Sequence, residues 1–233
     1  LGLPSGKKWA AVNLGSSIKP ETEAVYTQYG SSYLGKYGNK VKWGATDLNS
    51  TANPSLSKTY DAGDVLELED DPAYANWGGY WRVPTDEDWK ELWENCFWKC
   101  DGTNQTWKVY RTSDEYKKGV HRKTGDYSQT GDPSGSGNLA IPYSSSIYYW
   151  TSVAANGSYA KRVLFEKNND YSFSTYSRIS EYYIRPVWVP ITTTVFYVSP
   201  DGNDDSNDGT RANPFATIQQ AASKMIDKYT SYT

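Results

Sequence analysis

The chain is poor in the residues most often recruited for chemistry at neutral pH. Among 233 residues there are one histidine, one methionine and two cysteines. A catalytic triad or a zinc site built around His121 lacks the partners it would need. Basic charge is not in excess either: 24 Lys and Arg face 27 Asp and Glu, for a formal charge of −3. No field of that kind attracts nucleic acid or an anionic membrane. No apolar run approaches the length of a membrane span, and no signal-peptide pattern opens the chain. The chain begins inside a domain motif, so an export signal is expected upstream of Leu1. Phenylalanine is scarce as well, with five residues against ten Trp and 21 Tyr. Tyr and Trp join a large apolar area to a polar handle, which suits both binding surfaces and the core of a loop-rich fold. Most Trp are expected in the core and many Tyr at the surface.

What is present is clearest at Trp77-Gly78-Gly79-Tyr80-Trp81-Arg82-Val83-Pro84-Thr85 and the residues after it. Thr85 is suited to cap a helix, with Asp88 three residues on completing a capping box. Asp86, Glu87 and Asp88 place negative charge in the first turn, where the helix dipole favours it. Trp89, Leu92, Trp93, Cys96 and Phe97 then repeat at helical spacing, which predicts a helix over about 86–97.

Further motifs stand in order along the chain: Leu3-Pro4-Ser5-Gly6 with Trp9-Ala10, Trp43-Gly44, Leu66-Glu67-Leu68-Glu69-Asp70-Asp71, Asn76-Trp77-Gly78-Gly79, Arg82-Val83-Pro84-Thr85, Tyr149-Trp150-Thr151-Ser152 and Ile184-Arg185-Pro186-Val187. Together they resemble the Fibrobacter succinogenes major paralogous domain, a family of surface proteins from Bacteroidetes-type bacteria. The resemblance covers residues 1 to about 190. It implies an α+β, C-type-lectin-like fold with small twisted antiparallel sheets and long loops. The same fold is used by formylglycine-generating enzymes and by variable receptor-binding proteins. It implies a fold far more firmly than an activity.

Between these motifs, Lys8 to Leu14 reads as an opening strand and Pro20 to Tyr29 as a short helix. Residues 44–64 read as a long loop. Thr106 to Tyr110 is expected as a strand. Residues 111–138, rich in charge and then in Gly, Ser, Asp and Pro, depart from the family pattern as an insertion or long loop. Tyr148 to Ser152, Ala160 to Glu166, Asp170 to Thr175 and Tyr182 to Val189 are expected as closing strands. From residue 191 the character changes. Val195 to Ser199 reads as a strand, Asp201 to Gly209 as an Asp/Gly loop, and Asn213 to Ala221 as a helix opening. Phe215, Ile218, Ala222, Met225 and Tyr229 are expected on one face of that helix. This strand-loop-helix is similar to the N-terminal entry of a right-handed, pectate-lyase-like parallel β-helix. One coil of such a solenoid cannot bury its own apolar face, so the chain is expected to be part of a longer protein.

The candidate binding tract is 143–183, dense in Tyr, Ser and Asn. That palette is typical of adaptable recognition loops. In the resembling variable proteins the equivalent tract carries the ligand contacts. The candidate ligand-binding residues are Tyr148, Tyr159, Arg162, Tyr171, Tyr176, Arg178, Tyr182 and Tyr183. Alternation along strands sends part of any such set inward, and Tyr149, Trp150, Ile184 and Trp188 are assigned to the core. The Glu-Pro-Asn, Gln-Pro-Asp and Trp-Asn-Asp motifs of calcium-dependent lectins are absent, which argues against a calcium-bridged sugar. Asp201, Asn203, Asp205 and Asp208 resemble half of a calcium loop. Ala212 stands where the closing Glu would be, so a turn is favoured, with Ca²⁺ as the alternative. No other cofactor is expected.

Cys96 and Cys100 do not match the C-terminal cysteine pair of formylglycine-generating enzymes. They read as structural thiols or one local disulfide. Glu67, Glu69, Asp70 and Asp71 read as a solvated or turn-stabilising run rather than a glycosidase pair. His121 is expected to be solvated. Arg82 and Arg185 are expected to pin loop carbonyls, because one guanidinium offers five fixed donors.

The reading is a secreted or cell-surface module, 1–190, followed by the entry of a β-helix, 191–233. Its expected role is non-enzymatic adhesion to a host or environmental protein or glycan. The alternatives are an accessory domain of a polysaccharide-degrading β-helix enzyme and a structural spacer in a surface fibre.

Overall fold

The computed structural model describes residues 1–16, 38–102, 105–112, 118–122, 139–143, 147–166, 171–189 and 196–230, with the backbone alone over 225–230. The expected helix from Pro20 to Tyr29 and most of the 111–138 segment lie outside the described residues. The chain forms two compact units, Leu1–Pro190 and Ile191–Thr233. It is an α+β protein of small, mostly antiparallel sheets with few helices. Among the described residues no helix is long and apolar enough to cross a membrane.

The first unit begins with β1 (Lys8–Trp9) and β2 (Val41–Lys42). A loop follows, then α1 (Pro72–Trp77), β3 (Trp81–Arg82) and α2 (Asp86–Asn95). Next come β4 (Phe97–Asp101), β5 (Thr106–Tyr110), β6 (His121–Arg122) and β7 (Leu139–Pro142). The unit closes with β8 (Tyr148–Ala154), β9 (Tyr159–Leu164), β10 (Ser172–Ser177), β11 (Glu181–Tyr182) and β12 (Val187–Trp188). β12 pairs with both β1 and β3, so the two ends of the unit meet in one sheet.

The capping box forms as the sequence dictates: Asp88 N donates to Thr85 Oγ1 at 3.1 Å, and Thr85 N donates to Asp88 Oδ2 at 2.9 Å. The helix is shorter than its apolar spacing predicts. It stops at Asn95, because Phe97 to Asp101 pairs antiparallel with β5. Cys96 therefore lies at the helix end and Cys100 on a strand. The opening strand is likewise only two residues long.

The recurrent motifs bond to one another. Leu66 N donates to Ser152 O at 2.9 Å, and Ser152 N to Pro84 O at 2.8 Å. The Trp43 indole donates to Thr151 O at 2.8 Å, and Val83 N to Asp71 Oδ2 at 2.9 Å. Arg185 is buried and donates to Ala10 O at 3.1 Å and Ala140 O at 3.0 Å. Arg82 caps Gly79 O and Trp81 O. Gly44 in this frame has φ +78°, and a Cβ there would lie 2.4 Å from Leu56 Cδ2, so only glycine fits.

Two apolar clusters fill the unit. One gathers α2 with the β4–β5 hairpin around Trp89, Trp93, Trp98, Trp107 and Tyr149. The other gathers Trp43, Tyr60, Trp81, Trp150, Ile184 and Trp188. Nine of the ten Trp are buried, Trp77 being the exception, so this family of loops uses indoles as core. Tyr149, Trp150, Ile184 and Trp188 are all core residues, as their alternation predicts.

In the second unit α3 spans Ile218–Thr230. No strand forms at 196–199; Val198 instead makes a single parallel bridge to Phe215. Of the expected apolar helix face, the side chains of Met225 and Tyr229 lie outside the described residues, and the other three do not share one environment. Phe215 and Ala221 are buried, whereas Ile218 is 74% exposed and Ala222 is exposed. The helix starts three residues after Phe215, which therefore lies outside it.

Candidate recognition site

β8, β9 and β10 form an antiparallel meander in which successive side chains point to opposite faces. The register sets Arg162 directly opposite Trp150 on one side and Ser174 on the other. Residues opposite one another share a face. Trp150, Arg162, Ser174 and, two residues along, Tyr148 and Tyr176 therefore project together.

Their side chains meet. The Arg162 guanidinium carbon lies 3.7 Å from the ring centre of Tyr148, 4.0 Å from that of Tyr176 and 4.7 Å from that of Tyr182. Nε donates to Ser174 Oγ at 3.0 Å, and Nη1 donates to the Tyr182 hydroxyl. Tyr182 also packs edge-on against Trp150 at 4.8 Å, which ties the cluster to the core. Burial pushes the Tyr182 phenol up, against the pull of Arg162. Tyr176 remains 44% exposed and forms the open side. A guanidinium held between aromatic faces gives up part of its water for contact with the ring faces.

Four of the eight expected residues thus converge: Tyr148, Arg162, Tyr176 and Tyr182. The other four do not join them. Tyr159 is exposed at the start of β9. Tyr171 packs edge-on against Trp93 at 5.1 Å and Phe173 at 5.1 Å, beside the first core cluster. Tyr183 sits 6.2 Å from Tyr149, with Lys40 Nζ 5.3 Å from its ring centre. Arg178 is a correction. It is buried and donates to the carbonyls of Tyr159, Tyr60 and Asn156, with its guanidinium 4.4 Å from the Trp43 ring centre. Its Nε and Nη2 are taken up by loop carbonyls, so it fastens the frame. Ser174 was the missed member. Its place two residues before Tyr176 in Ser172-Phe173-Ser174-Thr175-Tyr176 is the period-two signal that could have found it.

The other chemical candidates resolve into structure. Glu67 and Glu69 are exposed, but Asp70 and Asp71 are buried rather than solvated. Asp70 accepts from Ser57 N, Ser57 Oγ and the Tyr60 hydroxyl. Asp71 caps α1 by accepting from Ala73 N and Tyr74 N. His121 is not solvated: it stacks on Trp93 with ring centres 3.7 Å apart, and its Nε2 lies 2.8 Å from Trp93 O. Cys96 and Cys100 are buried thiols that form no disulfide with each other, and burial pushes the Cys96 thiol up to about 12.

In the Asp/Gly loop, Asn203 Oδ1 accepts from Asp205 N and Ser206 N. Asp208 accepts from Thr210 N and Oγ1. These are turn and cap bonds, and no cluster of three or more His, Cys, Asp or Glu among the described residues could hold a metal ion. Comparison of the chain with protein-family models, with curated proteins and with solved structures gave no match.

Proposed function

We propose that this chain is a non-enzymatic recognition module of a secreted or cell-surface bacterial protein. It would bind a protein or glycan of a host or environmental surface through the β8–β10 face. One observation carries this reading: four aromatic and cationic residues from four separate strands, Tyr148, Arg162, Tyr176 and Tyr182, assemble a single cluster with an open side. The framework motifs are occupied with one another, which leaves recognition to residues outside them. The ordered motifs and the pairing of β1 with β12 support a C-type-lectin-like scaffold of the major paralogous type.

The parallel bridge from Val198 to Phe215 supports the second reading, an accessory domain joined to a β-helix enzyme that degrades polysaccharide. Parallel pairing between successive turns of chain is how such coils begin.

The test is a glycan and protein array probed with the chain and with Tyr176→Ala. Binding that is lost in the variant, with its near-ultraviolet circular dichroism unchanged, locates the site on this face. A folded protein that binds no array component sinks the recognition reading.

A further inference from the structure

The Arg162 cluster has a feature that the recognition reading alone does not use. Arg162 is only 9% exposed, yet among the described residues no carboxylate pairs with its guanidinium. Nε and Nη1 are bonded to Ser174 and Tyr182, and aromatic rings crowd the group at 3.7 and 4.0 Å. Nη2 has no partner among the described residues and is not sealed from solvent. Arg178 and Arg185, the other buried arginines among the described residues, donate to backbone carbonyls, and Arg185 Nε is buried without a partner, whereas the unspent nitrogen of Arg162 is open to solvent.

We infer that Arg162 Nη2 is the anchor for an oxyanion on a sugar, namely the carboxylate of a hexuronate residue. This inference rests on the recognition reading of the same face. A partly desolvated cation gains most from an anion when no protein acid already neutralises it. The surroundings fit a sugar better than a peptide. Tyr176, 44% exposed, offers a ring face on which a pyranose can stack, and Ser172 and Ser174 place hydroxyls on the same face of the strand. The strand itself carries no charged residue to pair with a peptide's side chains. Arg162 would hold the carboxylate in the plane of its guanidinium, Tyr176 would carry the ring, and the hydroxyls would exchange hydrogen bonds with those of the sugar.

The experiment is calorimetric titration of the full chain with trigalacturonate, its fully methyl-esterified form, a sulfated disaccharide and a tetraglutamate peptide. Trigalacturonate is expected to bind about tenfold or more tightly than its ester, the factor for losing one charge-assisted contact. Tyr176→Ala, at an exposed position, and Arg162→Lys, which keeps the charge but not the fork, should each weaken it about tenfold. If Arg162→Lys does not fold, Tyr176→Ala and the ester comparison still decide. A preference for the sulfated sugar retains the anionic-sugar site and overturns the carboxylate assignment. Equal binding of acid and ester, or tighter binding of tetraglutamate, overturns the inference and leaves the recognition reading standing. No binding of any probe to the folded protein also overturns it, and the array then decides the broader reading.

Discussion

Asp71 joins two framework motifs through one carboxylate: its Oδ2 accepts from Val83 N at 2.9 Å while its Oδ1 caps α1. Burial raises its pKa from 3.8 to about 6, against the pull of the backbone N–H groups and Arg82. A carboxyl raised in the folded state favours the fold when protonated. Its contribution is therefore complete below 3.8 and is lost as pH climbs through about 6. Urea unfolding from pH 3.5 to 7 should show the wild type losing roughly 3 kcal/mol relative to Asp71→Asn across that window. Parallel pH curves for the two proteins would contradict the assignment.

Both thiols should be inert in the native state. Cys96 is buried with its thiol pushed up to about 12, and Cys100 is buried on β4. A chromogenic disulfide reagent should titrate no cysteine in native protein and two in denaturant. Fast reaction of the folded protein would mean that the end of α2 opens.

Arg178→Gln should destabilise the first unit by about 3 kcal/mol, since it strands several buried carbonyls at once. Binding by the molecules that remain folded should be unchanged. Loss of binding with full stability would return Arg178 to the ligand-facing set.

Gly202→Ala should disrupt the second unit, because the added Cβ would lie 2.2 Å from Phe215 O. Amides of Tyr197 and Phe215, bonded to Gly209 O and Tyr197 O, should lose their protection from hydrogen exchange. Amides of β8 and β9 should keep theirs.

Helix α2 is legible in the sequence because its cap, its first-turn acids and its apolar stripe are all local and all agree. Its end is not. Trp93, Cys96 and Phe97 continue the helical spacing, and only pairing with distant β5 stops it. Asp101-Gly102, a strong hairpin dipeptide, was the available warning. The site was half legible for a similar reason. Composition marks the Tyr-rich tract, but Arg162 and Arg178 are the same residue type in the same tract. What separates them is whether distant loop carbonyls or neighbouring rings reach each guanidinium, and that is set by tertiary contact.

The strand pair β8–β9 serves both apolar clusters, with Tyr149 and Val163 turned into one and Trp150 and Ala160 into the other. Neither interior has a boundary of its own along this line. A slip of one residue in the pairing would turn every side chain over and trade the contents of the two interiors. The same slip would carry Arg162 away from its tyrosines. The correctness of the fold and the assembly of the Arg162 cluster are thus one condition, enforced at a single line of backbone pairing.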